Sequence, residues 1–130
     1  MSANDRQEFG DHYQADFQHW DLIERYGVGY LEGCATKYIT RHRKKNGIQD
    51  LIKAKHYTEK LLEMAHSHNR RARGYVGMRT LKPFFLANNI TDAGEMTAIV
   101  VLCSNWDRSQ LSVVINLLDE LIEECYPDGE

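Results

Sequence analysis

Hydrophobic residues recur at the spacing of an α-helix along almost the whole chain. No segment alternates between apolar and polar residues as a half-buried strand does, and the chain has only two prolines. The pattern therefore predicts an all-α protein, a compact bundle of about five to six helices. At 130 residues the chain has the size of one domain, so we expect residues 1–130 to form a single domain.

Turn-forming and capping residues divide the chain into helical segments. Gly27 ends the first segment, and Asn46 with Gly47 ends the second. Asp107, followed by Gln110 three residues later, is typical of a capping box. The predicted helices are residues 16–26, with Asp16 as the N-cap; 30–45; 48–65; a short helix at 81–89, with Pro83 early in it; 92–105, capped by Thr91 or Asp92; and 107–125.

The second and third predicted helices are joined by a very short turn, so they should pack as an antiparallel α-hairpin. Each helix carries apolar or small residues at helical spacing along one side, which we expect to be buried. These residues are Leu31, Cys34, Ala35, Tyr38 and Ile39 on the second helix, and Leu51, Ala54, Thr58, Leu61, Leu62 and Ala65 on the third.

The C-terminal helices carry more apolar surface than a helix of a small domain usually needs. The stretches VVLC (100–103) and VVINLL (113–118) are hydrophobic on more than one face. A second buried face predicts a homo-oligomer, with residues 81–130 forming both core and interface. The alternative is that the hairpin region, residues 11–65, covers this face. Between the two regions, residues 66–80 form a basic linker.

The net charge of −3 is distributed very unevenly. Residues 1–36 contain seven acidic and two basic residues, a net charge of −5. Residues 37–82 contain thirteen basic and three acidic residues, a net charge of +10, and residues 83–130 contain nine acidic and one basic residue, a net charge of −8. The acidic flanks argue against a protein that coats nucleic acid. The central segment favours one concentrated anion site.

The remaining composition narrows the class of protein. No apolar run approaches the roughly 18–20 residues of a membrane span. The polar, acidic start MSANDRQEFGD differs from a signal peptide. The three cysteines are far apart, which is typical of buried thiols in a reducing compartment. We therefore expect an intracellular protein without a membrane-spanning segment.

His12-Tyr13 and the stretch GCATKYITRHRKKNGIQDLIKAKHY (33–57) resemble a family of small bacteriophage proteins. The family is known as SaV-like or "nucleotide kinase-like", and its function is not established. Its pattern is HY near the start, then GNAIKYIxR and KNGxEDLxKAxxYL. The resemblance covers about residues 11–65. The matching residues are Lys37, Tyr38, Ile39, Arg41, Lys45, Asn46, Gly47, Asp50, Leu51, Lys53, Ala54 and Tyr57, and the departures are Cys34, Gln49 and Thr58. The resemblance implies a phage protein in the host cell cytoplasm.

The basic stretch KYITRHRKKNG (37–47) and the following helix contain the candidate ligand-binding residues. Arginine binds phosphate through two parallel hydrogen bonds, lysine adds a mobile charge, and a tyrosine ring can contact a base. The predicted set is Lys37, Tyr38, Arg41, Lys45, Lys53 and Tyr57, with His12 and Tyr13 closing over the pocket. If Arg41 only binds ligand, Arg41→Ala should abolish binding with little change in melting temperature.

Catalytic and metal sites have weaker support in the sequence. The chain has no GxxxxGK[ST] loop. His66 and His68 are spaced as a metal pair, but no cysteine or carboxylate cluster accompanies them in the sequence. Asp50 is interpreted as an N-terminal helix charge or a partner of Lys53. We therefore predict no catalytic residue, metal or cofactor.

The sequence thus predicts a binding protein. Its expected ligand is a nucleotide or cyclic-nucleotide-type molecule. A phage protein of this kind would sequester a host immune signal, a role inferred by analogy with other small binding proteins of phages. Two alternatives remain open. One is an enzyme of nucleotide metabolism, catalysing phosphoryl transfer or hydrolysis. The other is a nucleic-acid-binding module, whose affinity would fall steeply with salt.

Overall fold

A computed structural model describes residues 16–65 and 76–130, and in these residues the only regular elements are six α-helices. Their bounds are α1 His19–Tyr26, α2 Tyr30–Arg41, α3 Ile48–Met64, α4 Met78–Ala87, α5 Ala93–Cys103 and α6 Arg108–Cys125. The all-α class is confirmed, and so is the α2–α3 hairpin. His12, Tyr13, His66, His68 and most of the predicted linker lie outside the described residues.

Three helix ends follow from the predicted signals. Gly27 ends α1 in the left-handed conformation, with φ 60° and ψ 40°. The Asp92 carboxylate accepts a hydrogen bond from the Glu95 amide (2.9 Å) at the start of α5. Asp107 and Gln110 form the predicted capping box at the start of α6, with hydrogen bonds of 2.8 and 2.9 Å.

Two helices begin elsewhere than predicted. The N-cap of α1 is Gln18 rather than Asp16, and the Gln18 amide donates to the Asp21 carboxylate (2.9 Å). Helix α4 begins at Met78, three residues before the predicted start, so Pro83 lies in its interior. The last three residues of the predicted linker therefore belong to α4.

Helix α2 ends at Arg41, four residues earlier than predicted. The next residue, His42, is buried because its ring nitrogens bond the Glu95 carboxylate and the Tyr126 hydroxyl. The chain then passes through a turn that includes Lys45 before α3 begins. The basic stretch is thus part helix and part turn.

Gly47 shapes the turn between α2 and α3. It has φ 57° and ψ −128°, a conformation that only glycine adopts readily. A Cβ atom there would lie 3.3 Å from the Tyr126 ring. The glycine of the Asn-Gly pair that predicted the turn is therefore favoured both by the backbone conformation and by the packing of the C-terminal segment.

The hairpin packs on α5 and α6, so it covers the apolar faces of the C-terminal helices. Helix α5 contacts α2, α4 and α6, which explains why it is hydrophobic on several sides. The largest fully buried hydrophobic side chains come from all six described helices and are Leu22, Ile39, Leu51, Leu81, Phe84, Ile99, Leu102, Leu111, Val114 and Leu118. The hairpin thus covers part of the apolar surface of α5 and α6, while Val113 of the VVINLL stretch is 48% exposed. Among the described residues, no helix has both the length and the apolar character to cross a membrane.

Candidate functional site

Tyr38 on α2 and Tyr57 on α3 stack across the hairpin. Their ring centroids are 5.9 Å apart and the ring planes are inclined by 15°. Both side chains are half-buried, so the stack lies where the two helices meet and remains open to solvent on one side. Aromatic pairs in this arrangement hold each other in place at modest energetic benefit. The two rings therefore form a fixed aromatic surface.

Three cations surround the Tyr38 ring. The Lys37 ammonium is 4.9 Å, the Arg41 guanidinium 4.7 Å and the Lys53 ammonium 5.3 Å from the ring centroid. Each distance is within the range in which a cation is attracted to an aromatic face. These three residues with Tyr38 and Tyr57 are called the Tyr38 cluster below.

The structure thus brings together five of the eight predicted ligand-binding residues. Lys45 is exposed in the turn between α2 and α3. His12 and Tyr13 fall outside the described residues, so their predicted role over the pocket stays a prediction.

Arg41 has a structural role that the sequence did not reveal. Its Nη2 lies 3.4 Å from Oδ1 of Asp50, whose carboxylate is fully buried. The other oxygen of Asp50 accepts from the Asn46 amide (3.1 Å). Asp50 therefore pairs with Arg41, and the predicted partner Lys53 is not confirmed. On this geometry we expect Arg41→Ala to lose stability as well, because the variant would leave the buried Asp50 carboxylate without its charged partner.

Lys37 and Lys53 differ from the paired cations of the region, Arg41, Arg43 and Lys55. Within residues 16–65 and 76–130, neither of them forms an ion pair with a carboxylate. Arg43, by contrast, is 3.0 Å from Glu95, and Lys55 is 2.8 Å from Asp119. Two positive charges are thus held at one aromatic ring without a balancing carboxylate.

A small pocket lies beside the Tyr38 cluster, between α1, α2 and α4. We call it the α1–α2–α4 pocket, and its lining residues are Gln18, His19, Lys37, Thr40, Arg41, Lys44 and Asn88. Lys37 and Arg41 belong both to this pocket and to the Tyr38 cluster. Sequence reasoning missed Gln18, His19, Thr40 and Asn88 as site residues. The one signal in the sequence was helical spacing, because Thr40 and Lys44 follow Lys37 by three and seven residues and so fall on the same helix face.

His19 lines this pocket with a side chain that is uncharged at neutral pH. Burial, together with the positive charge of Lys37, lowers its pKa from 6.5 to about 4. Its Nε2 is 2.8 Å from the Thr36 hydroxyl, and that hydroxyl donates to the backbone carbonyl of Glu32 (2.9 Å). Nε2 must therefore carry the hydrogen and donate it to Thr36. At neutral pH the ring contributes no positive charge.

Tyr30 and Cys34 extend the aromatic side of the cluster. Tyr30 is 77% exposed, the highest value among the large apolar side chains of the described residues, and a hydrogen bond with Cys34 raises its pKa. The nearby Cys34 also raises the pKa of Tyr57. Both phenols keep their protons at neutral pH.

Glu95 is the centre of a second, structural group. Its carboxylate is buried, accepts from Arg43 Nε (3.0 Å) and pairs with the buried His42 ring. This group ties the hairpin turn to α5, and Tyr126 joins it from the C-terminal segment. In the described part of the chain, no three histidine, cysteine or carboxylate side chains are grouped as metal ligands.

Comparison with known proteins gives one family. Residues 8–59 match DUF3310, a family of proteins of unknown function. The matched region includes α2, most of α3 and all five residues of the Tyr38 cluster. No curated protein and no solved structure gives a significant match.

Proposed function

We propose that the Tyr38 cluster binds a phosphate-containing, nucleotide-like molecule. The observation that carries the proposal is the convergence of Lys37, Arg41 and Lys53 on one tyrosine ring, with Tyr57 stacked beside it. Phosphate requires cationic donors, and a base or ribose requires an aromatic surface and hydroxyl groups. The cluster offers cationic donors beside an aromatic surface with hydroxyl groups, so one ligand can contact both.

Several hairpin residues that match the family pattern have a structural role, so the proposal concerns the matching residues that do not. Ile39, Leu51 and Ala54 are buried in the core, and Gly47 forms the turn. These residues match the family pattern, and each has a structural reason for its identity. The lysine ammonium groups of Lys37 and Lys53 form no ion pair and hold no helix end in the described residues, so ligand binding is the better account of them.

The proposed biological role is sequestration, without turnover, of a host nucleotide signal in the cytoplasm. Its support is the resemblance of residues 11–65 to small phage proteins, together with the anion-binding character of the cluster. The two alternatives, an enzyme of nucleotide metabolism and a nucleic-acid-binding module, differ in measurable ways. An enzyme returns an altered nucleotide, and a nucleic-acid module loses affinity steeply as salt rises.

Self-association also stays a proposal. The expected surface lies within residues 81–130, where α6 exposes Val113 at 48% and α4 exposes Leu86 at 68%. Met78, at the start of α4, is 42% exposed. An apolar, solvent-facing helix is the kind of surface that a second subunit covers. Light scattering during size-exclusion chromatography measures this directly, and Leu86→Lys should lower the mass if α4 is the interface.

Isothermal titration calorimetry with a panel of nucleoside mono-, di- and cyclic phosphates tests the binding proposal. Lys53→Ala should weaken the best ligand about tenfold, since one charged hydrogen-bonding partner is lost. The matched control is Lys60→Ala, which removes a lysine from the same helix where it pairs with Glu63 (3.5 Å) instead of an aromatic ring. Equal effects of the two substitutions would count against the Tyr38 cluster, and so would an absence of binding across the panel.

A further inference from the structure

The α1–α2–α4 pocket is small and has a cationic lining. Its cavity volume is about 40 Å³, far below the roughly 300–1,000 Å³ of a pocket that encloses a whole small molecule. It can therefore hold one group of a ligand and not a complete nucleotide. Three of its lining residues, Lys37, Arg41 and Lys44, are cations, and none of its lining residues is a carboxylate.

The charge balance of this pocket matches a dianion. Arg41 is paired with the buried Asp50, so its charge is largely compensated. Lys37 and Lys44 form no ion pair with a carboxylate in the described part of the chain. Two uncompensated positive charges remain. A phosphate monoester carries about −1.5 to −2 charges at neutral pH, whereas a diester carries a single charge.

The neutral walls of the pocket are already fixed without a ligand. The Thr40 hydroxyl donates to the Thr36 carbonyl (2.7 Å). The Asn88 amide donates to the carbonyls of Phe17 (2.6 Å) and Phe84 (2.9 Å), which ties the start of α1 to α4. Walls held in place before binding reduce the entropy that a ligand must overcome.

We infer that the α1–α2–α4 pocket is a subsite for a terminal phosphate monoester. The inference rests on the proposed function and deepens it, because Lys37 and Arg41 line the pocket and also contact Tyr38. A ligand would place its terminal phosphate in the pocket and its base or ribose at the Tyr38 cluster. The ligand class is then a nucleotide with a free terminal phosphate, in preference to a cyclic nucleotide whose phosphates are all diesters.

Methyl phosphate and dimethyl phosphate are the probes that test this charge selection. They are a monoester and a diester of nearly the same size, and two-dimensional NMR titration of the ¹⁵N-labelled full-length protein detects even millimolar binding. Methyl phosphate should shift the amide signals of His19, Thr40 and Lys44. Dimethyl phosphate should bind at least about tenfold more weakly, because one charged interaction is lost.

Two matched substitutions separate the subsite from the Tyr38 cluster. Lys44 lines the pocket without contacting Tyr38, and Lys53 contacts Tyr38 without lining the pocket. Lys44→Ala should weaken methyl phosphate about tenfold, and Lys53→Ala should leave its affinity nearly unchanged. Both side chains are exposed, so neither variant should fail to fold.

Three results would overturn the subsite: no binding of methyl phosphate at millimolar concentration, equal binding of the two probes, or full binding by Lys44→Ala. Nucleotide binding that requires Lys53 but not Lys44 would also overturn it, while leaving the proposed function intact. Methyl phosphate bound through Lys44 by a protein that binds no nucleotide would support the subsite and contradict the proposed function.

Discussion

Arg41 and Asp50 link the two helices of the hairpin, with Nη2 of the guanidinium 3.4 Å from Oδ1 of a fully buried carboxylate. Arg41 also lies over the Tyr38 ring, at 4.7 Å. One side chain thus serves the fold through Asp50 and the candidate site through Tyr38. A loss of ligand binding in an Arg41 variant is therefore interpretable only if stability is measured in the same protein.

We predict that Arg41→Ala lowers the free energy of unfolding by about 2–4 kcal/mol, because it leaves the Asp50 carboxylate buried without its charged partner. Urea denaturation of the variant measures the loss. Lys53→Ala is the control, since Lys53 is exposed and should change stability by less than about 0.5 kcal/mol. Unchanged stability in Arg41→Ala would show that the ion pair contributes little.

A double substitution checks the cause of that loss. Asp50→Asn keeps an oxygen that can accept from the Asn46 amide but removes the buried charge. Adding Asp50→Asn to Arg41→Ala should therefore cost less than the sum of the two single changes, by about 1 kcal/mol or more. Strict additivity would mean that the two side chains do not interact.

Gly47→Ala should destabilise the protein more than Gly27→Ala, although both glycines have positive φ. Gly27 is in the left-handed helical region, and a Cβ there has no neighbour within 4 Å. Gly47 has ψ −128°, and its Cβ would approach Tyr126 to 3.3 Å. We expect a loss of about 2–3 kcal/mol at Gly47 against about 1 kcal/mol at Gly27. Thermal unfolding of both variants decides the order, and equal losses would contradict this account of the turn.

His19 should make stability depend on pH in the acidic range. Its folded-state pKa is about 4, below the unfolded value of 6.5, so only the unfolded chain takes up the proton between these values. Stability contributed by the neutral ring is complete above pH 6.5, falls as pH drops towards 4, and changes no further below it. The total loss is up to about 3 kcal/mol.

His19→Gln provides the control for this pH dependence, because glutamine can donate to Thr36 and does not titrate in this range. Chemical denaturation at several pH values between neutral and acidic conditions should give a flatter stability profile for the variant than for the native chain. Parallel profiles would show that His19 is not the group responsible.

Substitutions of Glu95 and Arg43 should differ sharply in their effect on stability, although the two side chains contact each other. Glu95 is buried against His42, whereas the Arg43 side chain is 50% exposed. Glu95→Ala should cost about 3–5 kcal/mol, and Arg43→Ala less than about 1 kcal/mol. Calorimetric unfolding distinguishes them. A small loss in Glu95→Ala would mean that the buried group does not hold the hairpin turn to α5.

Local signals in the sequence were sufficient for much of the fold. Gly27, Asp92 and Asp107 fixed helix ends because caps depend on residues within one turn. The end of α2 was predicted wrongly, and the partners of the buried His42 just after it, Glu95 and Tyr126, lie 53 and 84 residues away. Separations of this length leave no periodic signal in the sequence.

The candidate site, like the fold, could be predicted from the sequence only in part. Lys37, Tyr38 and Arg41 are neighbours on one helix, and the short turn brings Lys53 beside them, so their grouping could be predicted. The α1–α2–α4 pocket could not, because its walls come from separate helices. Asn88, for example, contacts the carbonyl of Phe17, 71 residues away.

Native mass spectrometry of the full-length protein, before and after mixing with a nucleotide panel, tests the central claim most directly. It reports the mass of any bound ligand and the number of chains in one spectrum. The account predicts retention of an unaltered nucleotide, with the adduct lost in a Lys37→Ala/Lys53→Ala double variant and kept in Lys60→Ala. An adduct that survives in the double variant would contradict the claim, as would a nucleotide returned in chemically altered form.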